Sequence, residues 1–221
     1  MTTGREFIVN LLKSLLVLVS ICLLLHQGTV AAQPTHGIPF ASQGNRIELA
    51  IANASHSIVS GVKVTATNLP DWILFKTPER SITTIQQEKE EIVTFEFSVR
   101  KDAPVGKVQV LNFAITTQAG ETWNKEITIS VNAPDHFSLY QNYPNPFNPT
   151  TTIGYQLSAS AHTRLSIYNT LGQLVATLVD ELRDAGYHQE SWTAENVPSG
   201  VYFYRLQSGS YVQMRKLLIL R

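Results

Sequence analysis

From residue 45 onward, apolar and polar residues alternate in short runs with a period of two. Segment 46–52 sets Ile47, Leu49 and Ile51 on one face, and 59–67 does the same with Val62, Val64 and Ala66. Segment 92–99 is the clearest, with Val93, Phe95, Phe97 and Val99 pointing one way. Segments 72–75, 108–117 and 123–131 complete a first set of strands. Turn chemistry separates them: Asn68-Leu69-Pro70-Asp71, Lys101-Asp102-Ala103-Pro104-Val105-Gly106 and Gln118-Ala119-Gly120-Glu121. The polar stretch 76–90, running into Gln86-Gln87-Glu88-Lys89-Glu90-Glu91, reads as a solvated turn. Successive side chains of a strand point to opposite faces of its sheet, which is why half-buried strands alternate. Strands at this spacing, with no convincing helix, predict a β-sandwich over 45–132.

A second set follows. Segment 152–158 turns Ile153, Tyr155 and Leu157 to one face, and 163–169 turns in Leu165 and Ile167. Segments 187–193 (carrying Trp192), 201–206 and 211–220 are also strands by composition and alternation. One stretch is in conflict. Leu171, Leu174, Val175, Leu178, Val179 and Leu182 recur at helical spacing, and Ala185-Gly186 would end a helix well. Its neighbours on both sides are strands, and an even succession of hairpins needs a strand here, so 173–180 is read as one.

The most constrained stretch is Gln141-Asn142-Tyr143-Pro144-Asn145-Pro146-Phe147-Asn148-Pro149. Each proline fixes its own φ, pushes its predecessor into extended conformation and lacks an N–H, so this is a rigid leader and not a central strand. Ala133-Pro134-Asp135-His136 lies within a short linker, 133–138, between the two sandwiches.

Residues 1–32 have the build of an export leader: Arg5 and Lys13 in a polar start, an apolar run at 14–25 and small residues at Val30-Ala31-Ala32. The cut then falls between Ala32 and Gln33. The apolar run is short for a membrane span, although an uncleaved anchor is the competing reading. The single cysteine is Cys22, so the mature chain carries none and its cores alone must hold it together. The 221 residues carry 17 basic and 17 acidic side chains with no basic patch, which speaks against a nucleic-acid partner.

Catalytic chemistry is not evident. His36, His56, His136, His162 and His188 are not paired at metal-ligand spacing, and no nucleophile elbow or phosphate-cradling loop occurs. Asp180, Glu181 and Asp184 could be imagined around calcium but read better as a solvated turn. Trp72 and Trp123 could stack on sugars; each sits beside apolar β residues, where a core position is the simpler reading. No cofactor is expected.

Two resemblances add to this. Residues 40–133 resemble the immunoglobulin-like modules appended to secreted bacterial hydrolases, through Asn68-Leu69-Pro70-Asp71-Trp72 and Ala103-Pro104-Val105-Gly106. Residues 137–221 closely resemble the type A C-terminal sorting domain of the type IX (Por) secretion system. The matching pieces are Tyr143-Pro144-Asn145-Pro146-Phe147-Asn148-Pro149, Ile167-Tyr168-Asn169 with Gly172-Gln173, Ala185-Gly186, Ser199-Gly200-Val201-Tyr202 and the closing Arg215-Lys216-Leu217 run to Arg221. They fall in the family's order.

The expected architecture is all-β: two consecutive immunoglobulin-like β-sandwiches after an N-terminal signal peptide. Its divisions are signal 1–32, leader 33–44, sandwich 45–132, linker 133–138 and sorting domain 139–221. The resemblance implies a secreted or cell-surface protein, and the lack of catalytic motifs in two sandwiches too small for a deep cleft points to one that is not an enzyme. It would pass the general secretory machinery into the periplasm, then an outer-membrane translocon, with a surface sortase cutting within 132–138. The first module would bind a surface glycan or protein, or act as a spacer. The alternatives are a remnant or accessory module of a secreted hydrolase and, less well matched, a flagellar hook-capping part. The last strand, with Arg215 and Lys216, is the expected recognition edge.

Overall fold

The computed structural model describes residues 34–220, together with the backbone of Leu16–Cys22. Every named element is a strand. β1 (Leu16–Cys22), β2 (His36–Ile38), β3 (Asn45–Ala52), β4 (Val59–Thr67), β5 (Ile73–Phe75), β6 (Glu79–Ile85), β7 (Glu90–Val99), β8 (Val108–Thr116) and β9 (Thr122–Val131) build the first sandwich. β10 (Ser138–Leu139), β11 (Thr150–Leu157), β12 (Ala161–Tyr168), β13 (Leu174–Arg183), β14 (Gly186–Thr193), β15 (Gly200–Ser208) and β16 (Tyr211–Ile219) build the second. The sheets run β1-β3-β7-β5 against β2-β9-β8-β4-β6, then β10-β11-β14 against β13-β12-β15-β16. Pairing is antiparallel except for β1 with β3 and β2 with β9. Apart from β1, the leader reading of 1–32, with its cut at Ala32 and Gln33, lies outside the described residues, as does Arg221.

The alternating faces become the cores. Ile47, Leu49 and Ile51 of β3, Phe95 of β7 and Phe113 of β8 are fully buried in one cluster. Ile153, Tyr155, Leu157, Leu165, Ile167, Tyr204 and Leu217 are fully buried in the other. Trp72 and Trp123 are half-buried against the first core, and Trp192 is buried in the second, so the tryptophans serve packing.

Three places differ from the sequence reading. The stretch 76–90 is not all turn, because β6 pairs with β4 along its length. Only Ile85 of β6 is fully buried, and an edge strand rich in Thr, Arg and Glu hides its nature from an alternation test. The leader 33–44 contains β2, whose Ile38 is fully buried and which extends the sheet beyond β9. The helical spacing in 171–182 comes from bulges. β12 and β13 shift register after Leu165 and after Ile167, skipping Leu178 and Val175. Each bulge admits an extra residue on the core side, so Val175, Ala176, Leu178 and Val179 all pack on the core from an extended strand.

Buried hydroxyls set an alkaline limit on the fold. Burial pushes the Tyr204, Tyr211 and Tyr155 hydroxyls above the ordinary tyrosine range. In the unfolded chain a tyrosine ionises near about pH 10. The folded state holds these protons more tightly, so the stability they confer is complete below that pH and is lost as pH rises toward the folded values. Thermal melts of the second module are therefore expected to hold steady to about pH 9 and fall above about pH 10. Tyr204→Phe should flatten that alkaline limb and cost about 1–3 kcal/mol at neutral pH. Its Oη donates to Tyr140 O at 2.7 Å and accepts from Asn142 N at 3.0 Å.

Candidate functional site

The register of the second sandwich brings most of its scattered motifs to one end, while Ala185-Gly186 stays at the other. β11 begins, β12 ends, β13 begins, β15 begins and β16 ends at the same pole, as shown by the pairs Thr150–Thr193, Tyr168–Leu174, Tyr168–Phe203 and Gly200–Ile219. The proline stretch, Gly172-Gln173, Ser199-Gly200 and Leu217 therefore meet there. The linker and the first sandwich lie at the opposite pole, where Ser138 pairs with Gln156.

The hairpin tip between β12 and β13 is built by Asn169. Its Oδ1 accepts from Leu171 N and Gln173 N, its Nδ2 donates to Gln173 Oε1 at 2.7 Å, and Gly172 supplies the required φ of 77°. Ser199 is exposed in the turn that enters β15.

The proline stretch does more than lead into β11. It folds back along the outer edge of β16 and closes its distal end. Phe147 N donates to Leu218 O and Leu220 N donates to Phe147 O, both at 3.1 Å. Leu218 N donates to Asn145 Oδ1 at 2.9 Å, and Gln141 Nε2 donates to Lys216 O at 2.9 Å. The Phe147 ring, 3% exposed, packs 5.7 Å from Trp192. Prolines suit this task because a strap that covers an edge needs few donors of its own and exposes no new ladder. Tyr143, Pro144, Asn145, Pro146, Asn148 and Pro149 stay on the surface, with Tyr143 82% exposed.

The distal outer edge of β16, from Lys216 to Leu220, is therefore taken by the strap and is not open to an added strand. The two basic residues also part company. Arg215 Nε donates to Leu139 O at 2.6 Å and ties β10 to β16. Lys216 is exposed on the opposite face, and Leu217 is fully buried.

Sequence reasoning missed Asn142. It is 2% exposed and its Nδ2 donates to Pro144 O at 3.1 Å and Thr151 Oγ1 at 2.9 Å, locking the root of the strap. An Asn two positions before a proline was the available signal. Also missed was the seam between the sandwiches. Lys101 Nζ sits 4.3 Å from the Tyr187 ring centre and donates to Tyr187 Oη at 3.2 Å. Tyr187 lies over Gly154, where an added Cβ would meet its Oη at 2.5 Å. Gly154→Val is expected to swing Tyr187 away and undock Lys101, with little loss of melting temperature for either module. Limited proteolysis of the 132–138 linker, faster by about fivefold for roughly 1 kcal/mol of lost docking, would check it.

Among the described residues no group of three or more His, Cys, Asp or Glu is placed to hold a metal. Asp180 pairs with His162 and Arg164, Glu181 with Arg183, and Asp184 accepts from Ser160, so the three acids serve separate contacts. The hollows are open. One of about 440 Å³, lined by Pro39, Phe40, Pro134, His136, Tyr140 and Gln156, lies along the linker.

Comparison with known families settles the second module. Residues 141–220 match the family model described as "Secretion system C-terminal sorting domain". This segment is a type IX C-terminal sorting domain. The sorting domain marks the protein for export by the type IX system, to the outer surface or the medium, and implies contact with that system's machinery. No curated protein matches the chain. Among solved structures it is similar to dimeric latent PorU from Porphyromonas gingivalis, at 12% identity and a TM-score of 0.33, over 86% of this chain and 19% of that one. It is also similar to domains 3 and 4 of rat CD4, at 15% identity and a TM-score of 0.24, over 82% of this chain and 99% of that one. CBD12 from CALX1.2 is similar at 10% identity and a TM-score of 0.31, over 78% of this chain and 77% of that one. The chain thus spans about a fifth of the length of PorU.

Proposed function

We propose that the protein is an exported, non-catalytic surface or secreted protein. Residues 1–32 take it through the general secretory route into the periplasm and are removed between Ala32 and Gln33. The sorting domain then presents it to the outer-membrane translocon. The first sandwich serves binding, adhesion or spacing once outside. The observation that supports the delivery role is the match of residues 141–220 to the sorting-domain family, with the proline stretch, Gly172-Gln173 and Ser199-Gly200 grouped at the pole opposite the first sandwich. A surface sortase would find Asp135 and His136 exposed in the linker, between buried Pro134 and half-buried Phe137, which stacks on Tyr211.

The test is fractionation of a bacterium with a type IX system expressing the full chain or a form lacking 139–221. The full chain is expected in the surface or medium fraction with Gln33 at its start, and the shortened form in the periplasm. Equal distribution of the two would overturn the delivery role. A glycan array and a surface-adhesion assay of the exported protein address the first module.

A further inference from the structure

The first sandwich has a strand edge whose partner comes from the leader. β1 lies parallel on β3, from Leu16 opposite Arg46 to Cys22 opposite Ala52. On the other side of β3, Asn53 N donates to Lys89 O at 2.8 Å, which turns the peptide groups of the odd-numbered residues toward β7. The peptide groups of Arg46, Glu48, Ala50 and Ala52 therefore point away from β7, toward β1. Removal of residues 1–32 leaves them as a bare edge. β3 has none of the devices that blunt an edge: it is eight residues long, regular in its pairing with β7, and free of proline and lysine. Other edges of the two sandwiches are blunted. β2 and β5 are three residues long, β13 is bulged, and β16 takes the strap.

We propose that in the exported protein the edge of β3 pairs antiparallel with the same edge of a second copy, about a two-fold axis at Leu49. The inference rests on removal of the leader between Ala32 and Gln33. Three observations favour a second copy as the occupant. Centred on Leu49, the pairing spans Arg46–Ala52, the same stretch that β1 covers. The outward peptide groups of Glu48 then face those of Ala50 in the copy, as a hydrogen-bonded pair requires. On the inner side Ile47 meets Ile51 and Leu49 meets its own copy, so the fully buried rows of two cores run into one another. On the outer side Arg46 meets Ala52 and Glu48 meets Ala50, so no like charges stand directly opposed. The neighbouring registers are worse. An axis at Glu48 sets two carboxylates against each other, and an axis between residues sets inner side chains against outer ones.

The experiment uses the protein purified from the surface or medium fraction, with its start at Gln33 verified by mass spectrometry. Sedimentation over a roughly hundredfold range of concentration should show a monomer–dimer equilibrium. Ala50→Pro removes one outward donor from each copy, leaves the ladder to β7 in place, and should weaken the dimer by about tenfold. Ala52→Pro, at the strand's end, makes the same test where Ala50→Pro lowers the melting temperature. The mature chain has no cysteine, so the double variant Glu48→Cys with Ala50→Cys should form a covalent dimer on mild oxidation. Ser130→Cys, on β9 of the other sheet, should stay monomeric in the same reaction. A monomer at every concentration overturns the proposal, as does a dimer that neither folded proline variant weakens. So does a foreign extended segment recovered on the β3 edge in place of a second copy. A mature start upstream of Leu16 would instead refute the leader reading, and the inference with it, since β1 would then stay on β3.

Discussion

Phe147→Ala is expected to destabilise the sorting domain by about 3–5 kcal/mol, against a total of only about 5–15 kcal/mol for a typical domain. The ring is 3% exposed and fills the space beside Trp192 at the distal pole. The same residue supplies both backbone groups that bond Leu218 and Leu220. Losing the ring therefore removes core volume and loosens the strap over the outer edge of β16. Denaturant unfolding would measure the first effect. Hydrogen exchange would show the second as faster exchange at Leu218 and Leu220, ahead of the amides that pair with β15. Asn145→Ala is the graded comparison, since it removes only the acceptor for Leu218 N, at 2.9 Å, and should cost about 1 kcal/mol. Equal protection of Leu218 and Leu220 in Phe147→Ala and the parent would refute the strap.

Ending the chain before Leu217 should unfold the sorting domain outright. Leu217 is fully buried and Ile219 is 1% exposed, each contributing roughly 1.5–3 kcal/mol of burial. The cut also leaves Phe147 and Asn145 without their β16 partners and bares the distal end of β15. The expected readout is loss of the second thermal transition together with loss of export. Truncation at this point cannot separate a linear signal in the last residues from a folded one, because it removes both. Surface substitutions such as Lys216→Glu can separate them, since they leave the core in place. A truncated chain that keeps its second transition would contradict the packing described here.

Both predictions show where the sequence was enough and where it was not. Alternation in β3, β4, β7, β11 and β12 picks out their apolar core side chains, because successive residues of a strand face opposite ways, but it misses Gly154, Gln156 and Ser166, buried on the other face of β11 and β12. The sorting motif is legible for a related reason: prolines, turn glycines and a closing apolar strand are local features whose order survives in the linear chain. β6 and β2 were not legible, since an edge strand buries too little to imprint a pattern. β13 was misleading, because its two bulges convert an extended strand into an apparent helical spacing.

The functional surface divides along the same line. By itself the sequence determined an all-β chain with a delivery module at its end and Arg215-Lys216 as a basic pair. Only the tertiary structure decided that Arg215 is used inside the fold while Lys216 faces out, since that depends on strand parity and on Leu139 O lying within reach. Only the tertiary structure closed the edge of β16 with the proline strap, because those hydrogen bonds join residues more than seventy positions apart. Pairing register is a long-range property, and a shift of one residue would have turned Lys216 inward.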